Sequence, residues 1–473
     1  MPFCIALQRN RPERSGVSLR AALAAVIIPV CVWSGAFCGE LTGEAPQTES
    51  QPLTPGHLPP SDFLSTVTPS TLGLPFDLTG FWETRAGIRT QRDPHQRDIT
   101  IGETRLQMEF EHFARGITFE LTADFLYDPV LDHHSIDLEK GRGAVDLRKA
   151  SVAFSPAHFI DVKIGRQILT WGTGDFLFLN DLFPKDWNAF FIGRDKEYLK
   201  APSDALRVGL FGPVNLEIIY VPRFDADRFI DGRRVSYWNS ALGRRAGRDA
   251  IITPLQPARW FHDDELAARL YKNLAGVELA AYAYSGFWKS PGGSDPLSGK
   301  ATFPDLAVYG ASLRTMLFGG IANLEYARYD SRDDSSGTDP LIRNSEDRFL
   351  LGYERELARD LTLGLQYYLE HMKNHTAYKA SLPGASPAAD RDRHVFTIRL
   401  TQLMMNQNLE LSLFTYYSPS DDDAYFRPRI HYKIDDHWSV EFGGNFFAGE
   451  HDYTFFSQFA RNNNIYAAVR YGF

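Results

Sequence analysis

Four cationic side chains alternate along one stretch near the carboxy-terminus: Arg427, Arg429, His431 and Lys433. Phe426, Pro428, Ile430 and Tyr432 alternate with them. An extended strand sends successive side chains to opposite faces, so this spacing predicts cations on one side and apolar groups on the other. A row of positive charge on a wetted wall lowers the barrier for anions and orients acidic solutes. The same alternation places Arg269, Arg314, Arg399 and Arg470 on polar strand faces. Acids share those faces: Glu83, Glu109, Glu120, Asp124, Glu217, Glu265, Glu278, Glu325, Glu410 and Glu441. The acids cluster on the second and third alternating stretches and the arginines on the sixteenth, which predicts a transverse field. A wall of mixed sign also fits a solvated surface cross-braced by ion pairs.

Other chemistry has little support. His112, His371 and His431 fall on alternating stretches, but no nucleophile motif accompanies them. No glycine-rich phosphate loop opens a helix, and the 13 His show no metal-ligand spacing. The expectation is neither an enzyme nor a cofactor protein. A net charge of −9 argues against nucleic acid as partner.

The elements that must hold these residues are strands. Period-two alternation recurs near 76–86, 99–112, 117–126, 145–155, 159–169 and 205–211. It continues near 214–221, 263–272, 276–287, 305–316, 321–330 and 347–356. The last six stretches lie near 361–373, 394–403, 408–417, 424–434, 438–448 and 464–473. Short turns such as 113–116 and 318–320 alternate with longer polar connections. Leu361, Leu363, Leu365, Tyr367 and Leu369 form one apolar stripe, and Trp438, Val440, Phe442, Gly444 and Phe446 another. Eighteen antiparallel strands (16–18 within boundary error) with short turns on one side and long loops on the other predict a closed transmembrane β-barrel. Closure is the strand solution that satisfies every backbone group in lipid. A barrel of this size is too wide for side chains to fill, leaving a channel or a loop-plugged lumen.

The last strand, Ile465 to Phe473, alternates apolar and polar groups and ends on an aromatic residue. It resembles the carboxy-terminal signature of Gram-negative outer-membrane barrels, which implies recognition by the barrel-assembly machinery and pairing with the first strand. At the other end, Arg9, Arg11, Arg14 and Arg20 precede an apolar run over 21–33 and the small residues Ser34, Gly35 and Ala36. That order predicts a signal peptide over 1–36, cleaved after Ala36, and hence export to the outer membrane. Residues 37–75 are rich in Pro, Ser and Thr and predict a disordered periplasmic lead-in, with the barrel over 76–473. Of the cysteines, Cys4 and Cys31 leave with the leader, so Cys38 has no disulfide partner.

The connection over 170–204 is unlike the others. Its Trp171, Phe176, Phe178, Phe183 and Trp187 are too apolar for an exposed loop tip, which predicts that it folds back into the barrel as a constriction. Arg166, Trp171, Asp175, Asn180 and Asp181 are its candidate constriction residues. Arg166 breaks the alternation of its strand, and a bulge at Gly165 would turn it inward. Gly165-Arg166-Gln167, Trp171-Gly172 and Asn180-Asp181-Leu182-Phe183-Pro184 resemble the GRQ-x-x-x-W-G region of porin-like families that include the alginate-export-like barrels. The resemblance implies a channel with a constricting segment.

The connection over 222–262 carries eight arginines that could meet lipopolysaccharide phosphates or form a solvated loop. Asp421-Asp422-Asp423 could hold Ca²⁺ or simply be a solvated turn. The functional expectation is an outer-membrane porin passing small polar or anionic solutes. Its alternative is the export conduit of a trans-envelope polysaccharide or lipid system. An outer-membrane enzyme is a third reading. Expected partners are outer-membrane lipid and lipopolysaccharide, the assembly machinery, and a homo-oligomer or a periplasmic protein.

Overall fold

The computed structural model describes residues 77–130, 136–138, 143–384 and 387–473. The signal peptide over 1–36 and the lead-in over 37–75 lie outside the described residues. The barrel strands are β1 Asp77–Arg89, β2 Ile99–Ala114, β3 Ile117–Tyr127, β4 Val145–Ala157, β5 Ile160–Ile168 and β6 Pro202–Leu210. Next come β7 Asn215–Val221, β8 Glu265–Leu274, β9 Val277–Phe287, β10 Asp305–Leu317, β11 Gly320–Ser331 and β12 Glu346–Ala358. The last are β13 Leu361–Met372, β14 Asp392–Met404, β15 Leu409–Ser418, β16 Asp423–Lys433, β17 Trp438–Gly449 and β18 Asn464–Gly472. Each pairs antiparallel with its sequence neighbours, and β18 pairs with β1. The fold is a closed 18-stranded antiparallel barrel.

Closure rests on a continuous ladder. Trp82 faces Tyr471, Glu83 faces Arg470 and Ala86 faces Ala467. The Gly80 and Phe473 amides each donate to the other's carbonyl at 3.0 Å. On the other side of β1, a Cβ at Gly80 would lie 2.2 Å from the Gln107 carbonyl oxygen of β2, so the β1–β2 ladder needs glycine here. Three of the short turns, Arg115-Gly116, Ala275-Gly276 and Phe318-Gly319, have positive φ at both residues. That geometry matches the twist of two-residue hairpins.

The outward face is apolar. Leu351, Leu365 and Phe442 are 55%, 43% and 60% exposed, an arrangement that only an apolar surrounding would favour. The inward face is mostly buried, because other parts of the chain cover it. The connection between β5 and β6 spans 169–201, so residues 202–204 belong to β6 and not to the predicted constriction. It contains the helix α1 Trp187–Ile192 and a 3₁₀ turn Lys196–Leu199. Asp186 caps α1 by accepting from the Ala189 amide at 2.7 Å.

Candidate functional site

The path of the 169–201 connection follows from its contacts, taken in chain order. Trp171 donates from Nε1 to Glu217 of β7 at 2.8 Å. Thr173 donates to Glu325 of β11 at 2.8 Å. The Asp175 amide donates to Gln366 of β13, and its carboxylate pairs with Arg399 of β14. Tyr416 of β15 donates to the Phe176 carbonyl at 2.8 Å, and Tyr425 of β16 to that of Phe190 at 3.4 Å. Asn464 of β18 donates to the Phe191 carbonyl at 3.1 Å, and Arg85 of β1 to that of Gly193 at 2.6 Å. Arg194 then meets Glu103 of β2 at 2.5 Å, and Arg148 of β4 donates to the Lys200 carbonyl at 2.9 Å. Between Phe176 and α1 the segment doubles back, Leu179 accepting from Tyr329 and Asn180 binding Glu325, both on β11. Contacts with inward groups from β7 round to β4 place the segment inside the barrel. The segment is an inner belt.

Aromatic packing fixes one side of the belt. Phe190 and Phe191 of α1 lie 5.8 and 5.5 Å from the ring of Tyr425, and Phe191 lies 5.2 Å from Phe447 of β17. Burying each such ring contributes on the order of 1.5–3 kcal/mol. Gly193 ends α1 with φ 84°, and a Cβ there would meet the Tyr466 ring at 2.1 Å. The backbone can therefore turn flat against the wall.

Charge fixes the other side. Glu325, 1% exposed, receives the Thr173 hydroxyl, the Gly174 amide at 2.9 Å, the Thr173 amide and the Asn180 side-chain amide. Asp181 pairs with Lys185 at 2.9 Å and accepts from Thr170. Burial raises the Asp175 carboxyl despite Arg399 beside it. Trp171, Asp175, Asn180 and Asp181 thus hold the belt to the wall or brace it internally.

Arg166 departs from its expected place. The β4–β5 register runs without a shift through Ile164, Gly165 and Arg166, so no bulge forms at Gly165. Arg166 keeps the register face of Ile164, opposite Lys163 and Gln167. It pairs with Asp204 at 3.0 Å and donates to the Leu138 carbonyl of the β3–β4 connection. An acid already waiting on β6, at the same register level, makes inward rotation unnecessary.

The remaining predicted residues form a cross-braced wall. Arg429 pairs with Glu441 at 2.7 Å and Glu410 at 2.8 Å. Arg470 pairs with Glu83 at 2.9 Å, Arg269 with Glu278 at 2.9 Å, and Glu120 with Lys163 at 2.5 Å. Asp124 pairs with Arg105, which also holds Glu103 at 2.7 Å. Glu103, Glu120 and Asp124 are thus neutralised locally, which weakens the expected transverse field. Glu109, His431, Lys433 and Arg314 keep the register faces of these groups. Among the described residues Arg427 has no ion pair; its guanidinium lies over the Phe190 and Phe176 rings at 4.2 and 5.6 Å.

Arg427 lines an inner pocket with Arg399 and Arg429 from the wall and Arg194, Asp195 and Lys196 from the belt. The run Arg194-Asp195-Lys196-Glu197 was not among the predicted site residues. Its signal was available, since it is the charge run that ends the apolar part of the loop.

Two further expectations change. In the connection between β7 and β8 three of the eight arginines are tied down, while Arg244 and Arg259 are 45% and 68% exposed. Arg228 holds Asp146 through two bonds of 2.8 Å, Arg234 pairs with Asp128 at 2.5 Å, and Arg245 donates to the Ser457 carbonyl at 2.7 Å. These cations are spent inside the protein. Of the acidic run, Asp421 pairs with Arg393 at 2.6 Å, while Asp423 accepts the Phe456 amide at 2.7 Å. The three acids therefore do not converge on one cation.

No protein-family model and no curated protein matches the chain. Its fold is similar to that of solved outer-membrane channels of Gram-negative bacteria. OccAB4 of Acinetobacter baumannii superposes with a TM-score of 0.51 at 9% identity, covering 84% of this chain and 97% of that one. OccAB3 of the same organism gives 0.49 at 13% identity, with 84% and 98% covered. OccK11 of Pseudomonas aeruginosa gives 0.48 at 8%, with 84% and 95% covered. At such identities the likeness is one of fold.

Proposed function

We propose that this chain is an outer-membrane channel for small polar or anionic solutes, narrowed by the belt over 169–201. The observation that carries the reading is the belt's run of contacts along the inner wall, from Glu217 of β7 to Arg148 of β4, which supports a segment of protein set inside the bore. The fold similarity to outer-membrane channels supports the same class and location. An apolar outward face suits lipid, and the β18–β1 seam suits closure by the assembly machinery.

Arg427 and Lys196 support a preference for anions. Both line the inner pocket, and neither has an ion pair among the described residues. Arg427 is held over aromatic rings, an arrangement that keeps a cation in place without neutralising it. Arg314, His431 and Lys433 keep the same register face, while Arg399, Arg269 and Arg470 are held in ion pairs on it, as are the acids Glu120 and Asp124, with Glu109 beside them.

Planar-bilayer recording under a KCl gradient tests both parts. The expected result is a steady small conductance with a reversal potential on the chloride side, moved toward zero by Arg427→Ala. A purified, folded barrel that passes no current would overturn the channel reading. An unchanged reversal potential would remove the role of Arg427.

A further inference from the structure

The connection between β7 and β8 carries a hairpin of its own. Its two short strands, Tyr237–Asn239 and Arg244–Ala246, pair antiparallel with Tyr237 opposite Ala246. Two glycines form the neck. Gly232 has φ 91°, and a Cβ there would lie 2.8 Å from the Gly247 carbonyl oxygen. Gln96 donates to the Gly232 carbonyl at 2.7 Å and the Arg248 amide to the His95 carbonyl at 3.1 Å, which ties the neck to the β1–β2 connection.

This connection lies one level above the belt, toward the long-connection end, on four strands. On β1, Arg85 donates to Gly193 of the belt, and Arg89 donates to the Arg234 carbonyl at 2.6 Å. On β2, Glu103 meets Arg194 of the belt, and the Thr100 carbonyl accepts from Arg234 at 2.7 Å. On β4, Arg148 holds the Lys200 carbonyl of the belt, and Asp146 holds Arg228. At β18, Asn464 holds the Phe191 carbonyl of the belt, and Asn462, just before the strand, holds Ser236. The step has the same direction each time, although β1 runs opposite to the other three. Arg89 and Asp146 share strand faces with Arg85 and Arg148, so this second layer also lies against the inner wall. At a strand rise of about 3.3 Å per residue, Arg85 and Arg89 stand about 13 Å apart along β1.

We propose that the hairpin is an outer closure of the barrel, stacked in series with the belt and pinned shut by Asn462. The inference goes beyond the channel reading and rests on it only for the effect on current. The Asn462 side-chain oxygen accepts from the Ser236 amide at 2.9 Å and from Arg89 at 2.6 Å, and its side-chain amide donates to the Ser236 carbonyl at 2.9 Å. Asn462 and Ser236 are 1% and 0% exposed, so water does not compete for these bonds while the hairpin is seated. Around the pin, Arg245 donates to the Ser457 and Gln458 carbonyls at 2.7 and 3.1 Å, and the Trp238 amide donates to the Gln458 side chain at 3.2 Å.

The tip is held differently. Leu242 and Arg244 are 49% and 45% exposed, so the hairpin is anchored at its neck and middle and wet at its end. None of the anchoring bonds belongs to the barrel ladder. A flap of this kind leaves the wall by pivoting at its glycine neck, with every strand pair intact.

Hydrogen–deuterium exchange of the 234–246 amides and bilayer conductance are measured on wild type, on Asn462→Ala and on a barrel whose 233–246 segment is replaced by a short Gly-Ser linker. The neighbouring Gly232 and Gly247 let that linker be short. Recording in about 1 M KCl screens the loss of the hairpin's arginines, and heat-modifiable gel mobility confirms that each barrel is folded. Asn462→Ala should exchange these amides about tenfold faster or more and pass more current than wild type. The linker barrel should pass at least as much current as Asn462→Ala, and it decides the closure even where Asn462→Ala lacks the folded band. Wild-type current from the linker barrel overturns the closure and leaves the channel reading standing. Unchanged exchange in Asn462→Ala overturns the pin. Silence from both wild type and the linker barrel overturns the channel reading and the closure with it.

Discussion

Removing the Glu325 carboxylate should release the first half of the belt. That group is buried and receives the Thr173 amide and hydroxyl, the Gly174 amide and the Asn180 side-chain amide. A hydrogen bond to a charged acceptor contributes about 1.5–3 kcal/mol, and each buried donor left unpaired costs about 1–3 kcal/mol. Glu325→Ala strands two backbone amides and one side-chain amide. Rearrangement and entering water recover part of the loss, so the seating of 172–181 should weaken by about 3–5 kcal/mol. Glu325→Gln keeps one acceptor oxygen for the amides but presents an NH₂ toward Asn180, so its loss should be about half as large. Hydrogen exchange across 172–181 reads this directly, and single-channel noise reads its consequence. The barrel ladder is untouched, so heat-modifiable gel mobility should stay as in the wild type. Equal protection of 172–181 in wild type and Glu325→Ala would refute the idea that this carboxylate anchors the belt.

Other outcomes follow from the same geometry. Gly80→Val should force β1 away from β2, because a Cβ there meets the Gln107 carbonyl oxygen at 2.2 Å, and the product should lack the heat-modifiable folded band. Arg228→Ala leaves Asp146 buried without its two 2.8 Å bonds, a loss of about 3–5 kcal/mol. Faster exchange in the β7–β8 connection would register it, and unchanged exchange would count against the clamp. Arg427→Ala should move the reversal potential toward zero, whereas Arg166→Ala, on the opposite strand face, should leave it unchanged.

The barrel was legible because its signal is local. Each strand carries its own period-two pattern, and most short turns carry their own Gly, Asn or Asp, so eighteen independent readings accumulate. Boundaries slipped by a few residues where a strand runs past the apolar zone, as β1 does to Arg89. The inward course of the belt was legible for a similar reason, since its run of aromatics is too apolar for a wetted tip.

The partners of the site were not legible, because they depend on which strands stand opposite across the bore. Glu325 and Asn180 are 145 positions apart, and Arg85 and Glu441 are 356 apart. Alternation assigned a face to Arg470 and Glu83 but could not say that they neutralise each other. It also misplaced Arg166, whose partner Asp204 sits on a strand reached only after the whole belt. Sequence alone determined the strands, their order, the closing seam and the segment that turns inward, because period and composition act residue by residue. Tertiary structure alone decided which charges are spent in pairs and which stay free. Those outcomes depend on distances of a few ångströms across the barrel, over which Coulomb energies and desolvation change by several kcal/mol.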